Sequence, residues 1–105
     1  MSAQGKFLRR AEGNVWIHRC PACGVNHSIP VGRGWTFNGD LDRPTFSPSI
    51  RITSTRARNA QELVHPVSYT ACHYLIAGGI IFFCADSLRM ANQSVPLPDF
   101  EAPDV

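Results

Sequence analysis

The residues best equipped for chemistry are the cysteines and histidines, four of each in 105 residues. Cys20 and Cys23 flank Pro21-Ala22 in the stretch HRCPACGVNH, residues 18–27. Thiolates bind zinc tightly because the ion is borderline soft, and a tetrahedral site takes four N or S donors. The CPxCG turn points both sulfurs inward, and Gly24 accepts a backbone geometry that other residues resist. A redox CxxC wants a βαβ context, and no helix follows Cys23. The stretch is therefore half of a metal clamp. Its missing donors lie among Cys72, Cys84, His18, His27, His65 and His73.

The elements that carry these residues decide between them. Asn14 to Arg19 alternates with the period of a strand and runs into the CPACG turn. Residues 26–31 read as its hairpin partner. Tyr69 to Cys84 holds two β-rich runs around Gly78-Gly79, a tight hairpin turn. In that register His73 faces Cys84, and side chains alternate between faces. His73, Leu75, Ile80, Phe82 and Cys84 then share one face; Cys72, Tyr74, Ile76, Ile81 and Phe83 share the other. Cys72 and Cys84 point apart, so the clamp takes one donor from each of two pairs. Either Cys72 and His27 complete it, or His73 and Cys84 do. The favoured set is Cys20, Cys23 and Cys72 with a histidine fourth, His27 ahead of His73. Cys84 reads as a core thiol, and His18 and His65 as solvent-facing.

Between the hairpins, Trp35 to Phe37 reads as a strand, Asn38-Gly39 as a hairpin turn and Ser49 to Thr53 as a further strand. Pro44 and Pro48 confine the intervening segment to an edge or a loop. Residues 55–66 are polar, either a loop or one helical turn over Asn59 to Val64. DSLRMANQ, residues 86–93, offers a helical turn capped by Asp86 or Ser87, and a proline-punctuated extended tail follows. The fold expected is a small, mostly β, zinc-stapled antiparallel domain of zinc-ribbon character, with one or two helical turns at most. A single domain spans residues 1–105, with 1–12 and 101–105 frayed.

Hydrophobic content of 44% and charge of 17% place the chain among globular proteins rather than disordered ones. A net charge of +2 compels neither a nucleic-acid nor a membrane partner. No apolar run approaches the roughly 20 residues that span a bilayer. The N-terminal residues lack the apolar core of a secretory signal. Cysteines in such a chain read as thiolate ligands in a reducing cytoplasm rather than as disulfides.

CPACGVNH, WTFNGDLDRPTFSPSI, CHYLIAGGIIFFCADS and NQSVPLPDF, in that order, resemble a family of small phage and prophage proteins of unknown function. Members often carry the label ammonia monooxygenase, a chemistry needing a redox metal and membrane-scale machinery foreign to a chain this short. The resemblance implies a structural zinc on Cys20, Cys23, Cys72 and His73, with His27 also in pattern, and a bacterial host cell as the setting. The family's final block carries a histidine after its acidic residue, where this chain has Leu88.

The densest polar and aromatic cluster is Trp35, Asn38, Asp40, Asp42, Arg43, Thr45, Ser47 and Ser49. Trp35, Asn38, Asp40, Arg43, Thr45 and Ser47 make a candidate recognition surface for a partner loop or a base. Local turn chemistry and a small core around Trp35 and Phe46 explain the same residues. Arg51, Arg56 and Arg58 form the basic cluster.

Together these features lead to the expectation of an accessory binding module with a closed structural zinc and no catalytic residues. Its partner would be a host or phage protein, as in interference with antiviral defence. The alternatives are a nucleic-acid-binding zinc ribbon and a small zinc hydrolase with water as fourth ligand. A homodimer through exposed sheet edges is compatible with all three.

Overall fold

A computed structural model describes residues 2–100. The chain forms two antiparallel sheets. The first is a meander of β1 (Ser2–Gln4), β2 (Leu8–Ala11), β3 (Val15–Arg19) and β4 (Asn26–Pro30). The second runs in the order β5 (Thr36–Phe37), β6 (Phe46–Arg56), β7 (Val67–Ala77), β8 (Ile80–Phe83) and β9 (Ser94–Pro96). The mostly β antiparallel architecture is thus as expected. Within the N-terminal segment expected to fray, β1 and β2 pair and extend the first sheet beyond the β3–β4 hairpin. Residues 101–105, also expected to fray, lie outside the described residues.

Both sheets feed one core. Leu8, Trp16 and Ile29 come from the first, and Phe46, Ile50, Tyr74, Ile76, Ile81 and Phe83 from the second. Ile76 and Ile81 are fully buried register partners across the β7–β8 hairpin. Truncating either to Ala would cost about 2–5 kcal/mol, the transfer loss plus the cavity left behind.

The Gly78-Gly79 turn sets the register as expected, pairing Ala77 with Ile80 and Tyr74 with Phe83. Both glycines take positive φ, 58° and 82°, a region closed to most side chains. The Asn38-Gly39 pair behaves differently. Thr36 pairs with Ser47 and Phe37 with Phe46, so the hairpin closes over the longer loop 38–45 rather than over two residues. Asn38 Oδ1 accepts from the backbone N–H of Asp40 and of Thr45, both at 3.1 Å, which commits the asparagine to organising that loop.

Pro48 lies inside the central strand β6 rather than in a loop. It is tolerated because the β6–β7 register slips between Phe46 and Ile50, and Pro48 falls within the slip, where no ladder donor is needed. Residues 60–64 form one helical turn, α1 (Ala60–Val64), whose first turn is capped by Asn59 accepting from the Glu62 N–H at 2.9 Å. Residues 86–93 make turns instead of a helix, since Met90 and Asn92 adopt left-handed φ of 55° and 62°.

Candidate active site and metal cluster

Strand β7 divides two clusters between its faces. Cys72 and Tyr74 point inward and are fully buried; His73, between them, points outward and is half-buried. The alternation follows from the pleat, and it separates the two chemistries that covalent neighbours Cys72 and His73 can serve.

On the inner side the knuckle closes as its sequence dictates. Cys20 N–H donates to Val25 O and Gly24 N–H to Cys20 O, both at 2.9 Å, with Gly24 at φ 69°. Ligand atoms of Cys20, Cys23 and His27 all lie within 4.8 Å of one another. The thiol of Cys72 neighbours those of Cys20 and Cys23. These four residues form a cluster able to hold a metal ion. Burial, and then the neighbouring thiols, push the Cys72 thiol well above its ordinary range. Burial raises the Cys20 thiol as well as that of Cys72, and a bound cation would reverse that balance.

A buried hydrogen-bond chain orients the histidine. His18 is fully buried, contrary to the solvent-facing expectation, because position 18 falls on the inner face of β3. Its Nδ1 lies 3.2 Å from Arg19 O and its Nε2 2.7 Å from the Tyr74 hydroxyl. Burial lowers its pKa to about 4, so the ring is neutral at pH 7. A carbonyl only accepts, so Nδ1 carries the hydrogen and Nε2 accepts from Tyr74 O–H. The Tyr74 oxygen is then free to accept from His27 Nδ1–H at 3.0 Å. That leaves the Nε2 lone pair of His27 for a metal, the arrangement in which bound histidines are held by their other nitrogen. His65 is exposed, as expected.

His73 does not reach this cluster. On the outer face its Nε2 lies 3.1 Å from Ser49 Oγ, and its Nδ1 lies 2.6 Å from Asp86 Oδ1. Asp86 accepts from Nδ1–H, so Nε2 is bare and accepts from the Ser49 hydroxyl. The His73 ring holds Asp86 below the usual carboxylate range and so keeps it charged. Serine, histidine and aspartate joined in this sense are the parts of a nucleophilic triad.

Each member has a structural reason for its place. Ser49 is delivered by the slipped register of β6, where bulged residues can re-aim their side chains. Its carbonyl is held by Trp35 Nε1–H at 3.3 Å. His73 is the register partner of Arg51, placing it diagonal to Ser49 across the ladder. Asp86 follows β8 in a turn pinned by Ser87, whose Oγ accepts from His73 N–H at 3.2 Å and donates to Arg89 O at 2.8 Å.

Cys84 faces this outer site, with its sulfur within 4.8 Å of ligand atoms of His73 and Asp86. It is half-buried rather than a core thiol, because it shares the His73 face of the hairpin. Burial and the Asp86 charge push its thiol upward, away from the reactive thiolate.

The cluster expected to form a recognition surface is largely engaged with itself. Asn38 Nδ2 donates to Arg43 O, and Asp40 Oδ1 accepts from the N–H groups of Asp42 and Arg43. Thr45 Oγ1 accepts from Gly78 N–H at 2.8 Å, tying the loop to the β7–β8 turn. Ser47 is exposed at the start of β6, and Trp35 is half-buried against Ser49.

Sequence reasoning placed Ser49 in that polar cluster, His73 among the metal donors and Asp86 at a helix cap. Their convergence spans three strands and a turn, and no local motif announces it. The available signal was the hairpin arithmetic that set His73 against Cys84, two residues from Asp86.

Among the described residues, no helix is long and apolar enough to cross a membrane. No curated protein and no solved structure matches the chain. The family model described as bacterial ubiquitination-like system serine protease (BubE) matches residues 1–84, a span holding Ser49, His73 and the four residues of the inner cluster. By that match over most of its length, the chain belongs to the BubE family.

Proposed function

We propose that the protein is a serine protease with Ser49 as nucleophile, His73 as general base and acid, and Asp86 as the group that orients and stabilises the imidazole. The observation that carries the reading is the pair of hydrogen bonds from Ser49 Oγ to His73 Nε2 and from His73 Nδ1 to Asp86 Oδ1. The family's description, a serine protease of a bacterial ubiquitination-like system, agrees with it and supplies the setting. The expectation of a pure binding module assigned these three residues separate roles; their convergence favours hydrolysis.

Ser49 Oγ attacks the scissile carbonyl carbon as its proton passes to His73 Nε2. The same proton then moves to the leaving amine as the C–N bond breaks, leaving an acyl ester on Ser49. Water attacks the ester carbonyl, His73 takes its proton, and the returning proton restores the Ser49 hydroxyl as the acid departs. Cys84 is the weaker nucleophile candidate, because its thiol is held protonated and Ser49 occupies His73 Nε2.

Zinc would suit the inner cluster, where Cys20, Cys23, Cys72 and His27 would supply four N and S donors, the donor set of a structural site. Bound there, it would tie the β3–β4 knuckle to β7, the strand that carries His73 on its other face, and would serve structure rather than chemistry.

The test is exposure of a peptide library prepared from a bacterial proteome, with new N-termini read by mass spectrometry. The intact chain is expected to generate termini that the Ser49→Ala variant does not. Identical terminus profiles for the two proteins would overturn the reading.

A further inference from the structure

The triad ends where a cationic cavity begins. A concave cavity of about 550 Å³ is lined by Arg51, Arg56, Arg58, Tyr69, Thr70, Asp86 and Leu88. Asp86 belongs to both the cavity and the triad. Arg51 is two residues beyond Ser49 on the same face of β6, a separation of roughly 7 Å along a strand. A chain lying across Ser49 and following β6 therefore enters this cavity within one or two residues of the bond under attack.

Resting on the hydrolase reading, we propose that the cavity is a specificity subsite for an acidic peptide segment of the substrate, with Arg51, Arg56 and Arg58 pairing its carboxylates. Planar guanidinium groups suit carboxylates because their parallel N–H donors match both oxygens. Arg51 is pre-set for this: its Nε–H donates to Thr70 Oγ1 at 2.8 Å, leaving the rest of the fork for a ligand. Arg56 Nε lies 3.7 Å from the buried Glu62 Oε1, an ion pair too long for a hydrogen bond that holds the guanidinium at the cavity edge. The one carboxylate lining the cavity, Asp86, is engaged by His73. Leu88, 66% exposed, adds an apolar wall for the stems of the acidic side chains.

Nucleic acid fits less well. A single-strand track needs successive aromatic platforms along a cationic groove, whereas Tyr69 is the one aromatic residue among those lining this cavity.

The experiment uses the full-length, zinc-loaded Ser49→Ala protein and fluorescein-labelled hexaglutamate, followed by anisotropy, with hexaglutamine as the neutral control. Hexaglutamate is expected to bind, hexaglutamine to bind at least about tenfold more weakly, and rising salt to weaken the first alone. In the same background, Arg56→Gln with Arg58→Gln should cost hexaglutamate about tenfold in affinity. Both arginines are exposed, and matched melting curves verify that the fold survives. In the wild-type chain, hexaglutamate should slow labelling of Ser49 by a fluorophosphonate. Equal affinity for the two peptides, or affinity unmoved by the arginine substitutions, would overturn the proposal. Displacement of hexaglutamate by a lower concentration of oligothymidylate would overturn it in favour of nucleic acid. Failure of Ser49 to react with the fluorophosphonate would remove the hydrolase reading instead, and the anisotropy result judges the cavity separately.

Discussion

Cys72 and His73 are consecutive residues of β7 that belong to different centres: the Cys72 thiol meets those of Cys20 and Cys23, while the His73 ring joins Ser49 to Asp86. The pleat of a single strand thus couples a buried cysteine cluster to an outer Ser-His-Asp arrangement. Whatever holds Cys72 in place also fixes the base that would activate Ser49.

The orientation of His73 depends on Asp86 as an acceptor. In Asp86→Asn the amide can donate to Nδ1, which would leave the proton on Nε2 and no lone pair facing Ser49. The rate of Ser49 modification by a fluorophosphonate should fall by about a thousandfold or more. Thermal stability should change little, since the Asp86 side chain is mostly exposed. A rate within a few fold of wild type would remove Asp86 from the site.

Metal removal should unfold the chain. Structural zinc contributes on the order of 10 kcal/mol to small domains, comparable with the whole stability of about 5–15 kcal/mol expected for a domain. Purified protein should carry equimolar zinc by elemental analysis, and a strong chelator should abolish its cooperative melt. Cys72→Ser should act as the chelator does. Cys84→Ser, on the opposite face, should retain zinc.

Stability should also fall on mild acidification, through His18. Its pKa is lowered to about 4 in the fold, against 6.5 when unfolded. Above pH 6.5 both states are neutral there and the full stability is present. As pH falls from 6.5 towards 4 only the unfolded chain takes up the proton, and the loss levels off below the folded value. The gap corresponds to about 3 kcal/mol for this fully buried ring. Urea titrations between pH 7 and 4.5 at saturating zinc should show that slope, and His18→Gln should flatten it.

Much of the inner cluster was legible from local rules. Alternation about a Gly-Gly turn placed Cys72 and Cys84 on opposite faces, and the favoured donors Cys20, Cys23, Cys72 and His27 come together in the structure. The outer site was only half legible: the β7–β8 hairpin sets His73 near Asp86, but Ser49 joins them only through the pairing of β6 with β7. That pairing contains two register shifts, at Phe46/Ile50 and Ile52/Thr53, which no periodicity reveals. His18 was misplaced for a related reason. Its burial depends on Tyr74, 56 residues away, offering its hydroxyl across the core. The segment 86–93 had helical composition, but Ser87 is committed to His73 N–H and Arg89 O, and left-handed Met90 and Asn92 turn the chain away.

The most direct measurement is the site of covalent modification by a fluorophosphonate, mapped by tandem mass spectrometry on the zinc-loaded chain. A single adduct on Ser49, absent from His73→Ala protein of unchanged melting temperature, is the predicted result. An unmodified Ser49 under conditions that label an ordinary serine hydrolase, or an adduct that forms equally without His73, would contradict it.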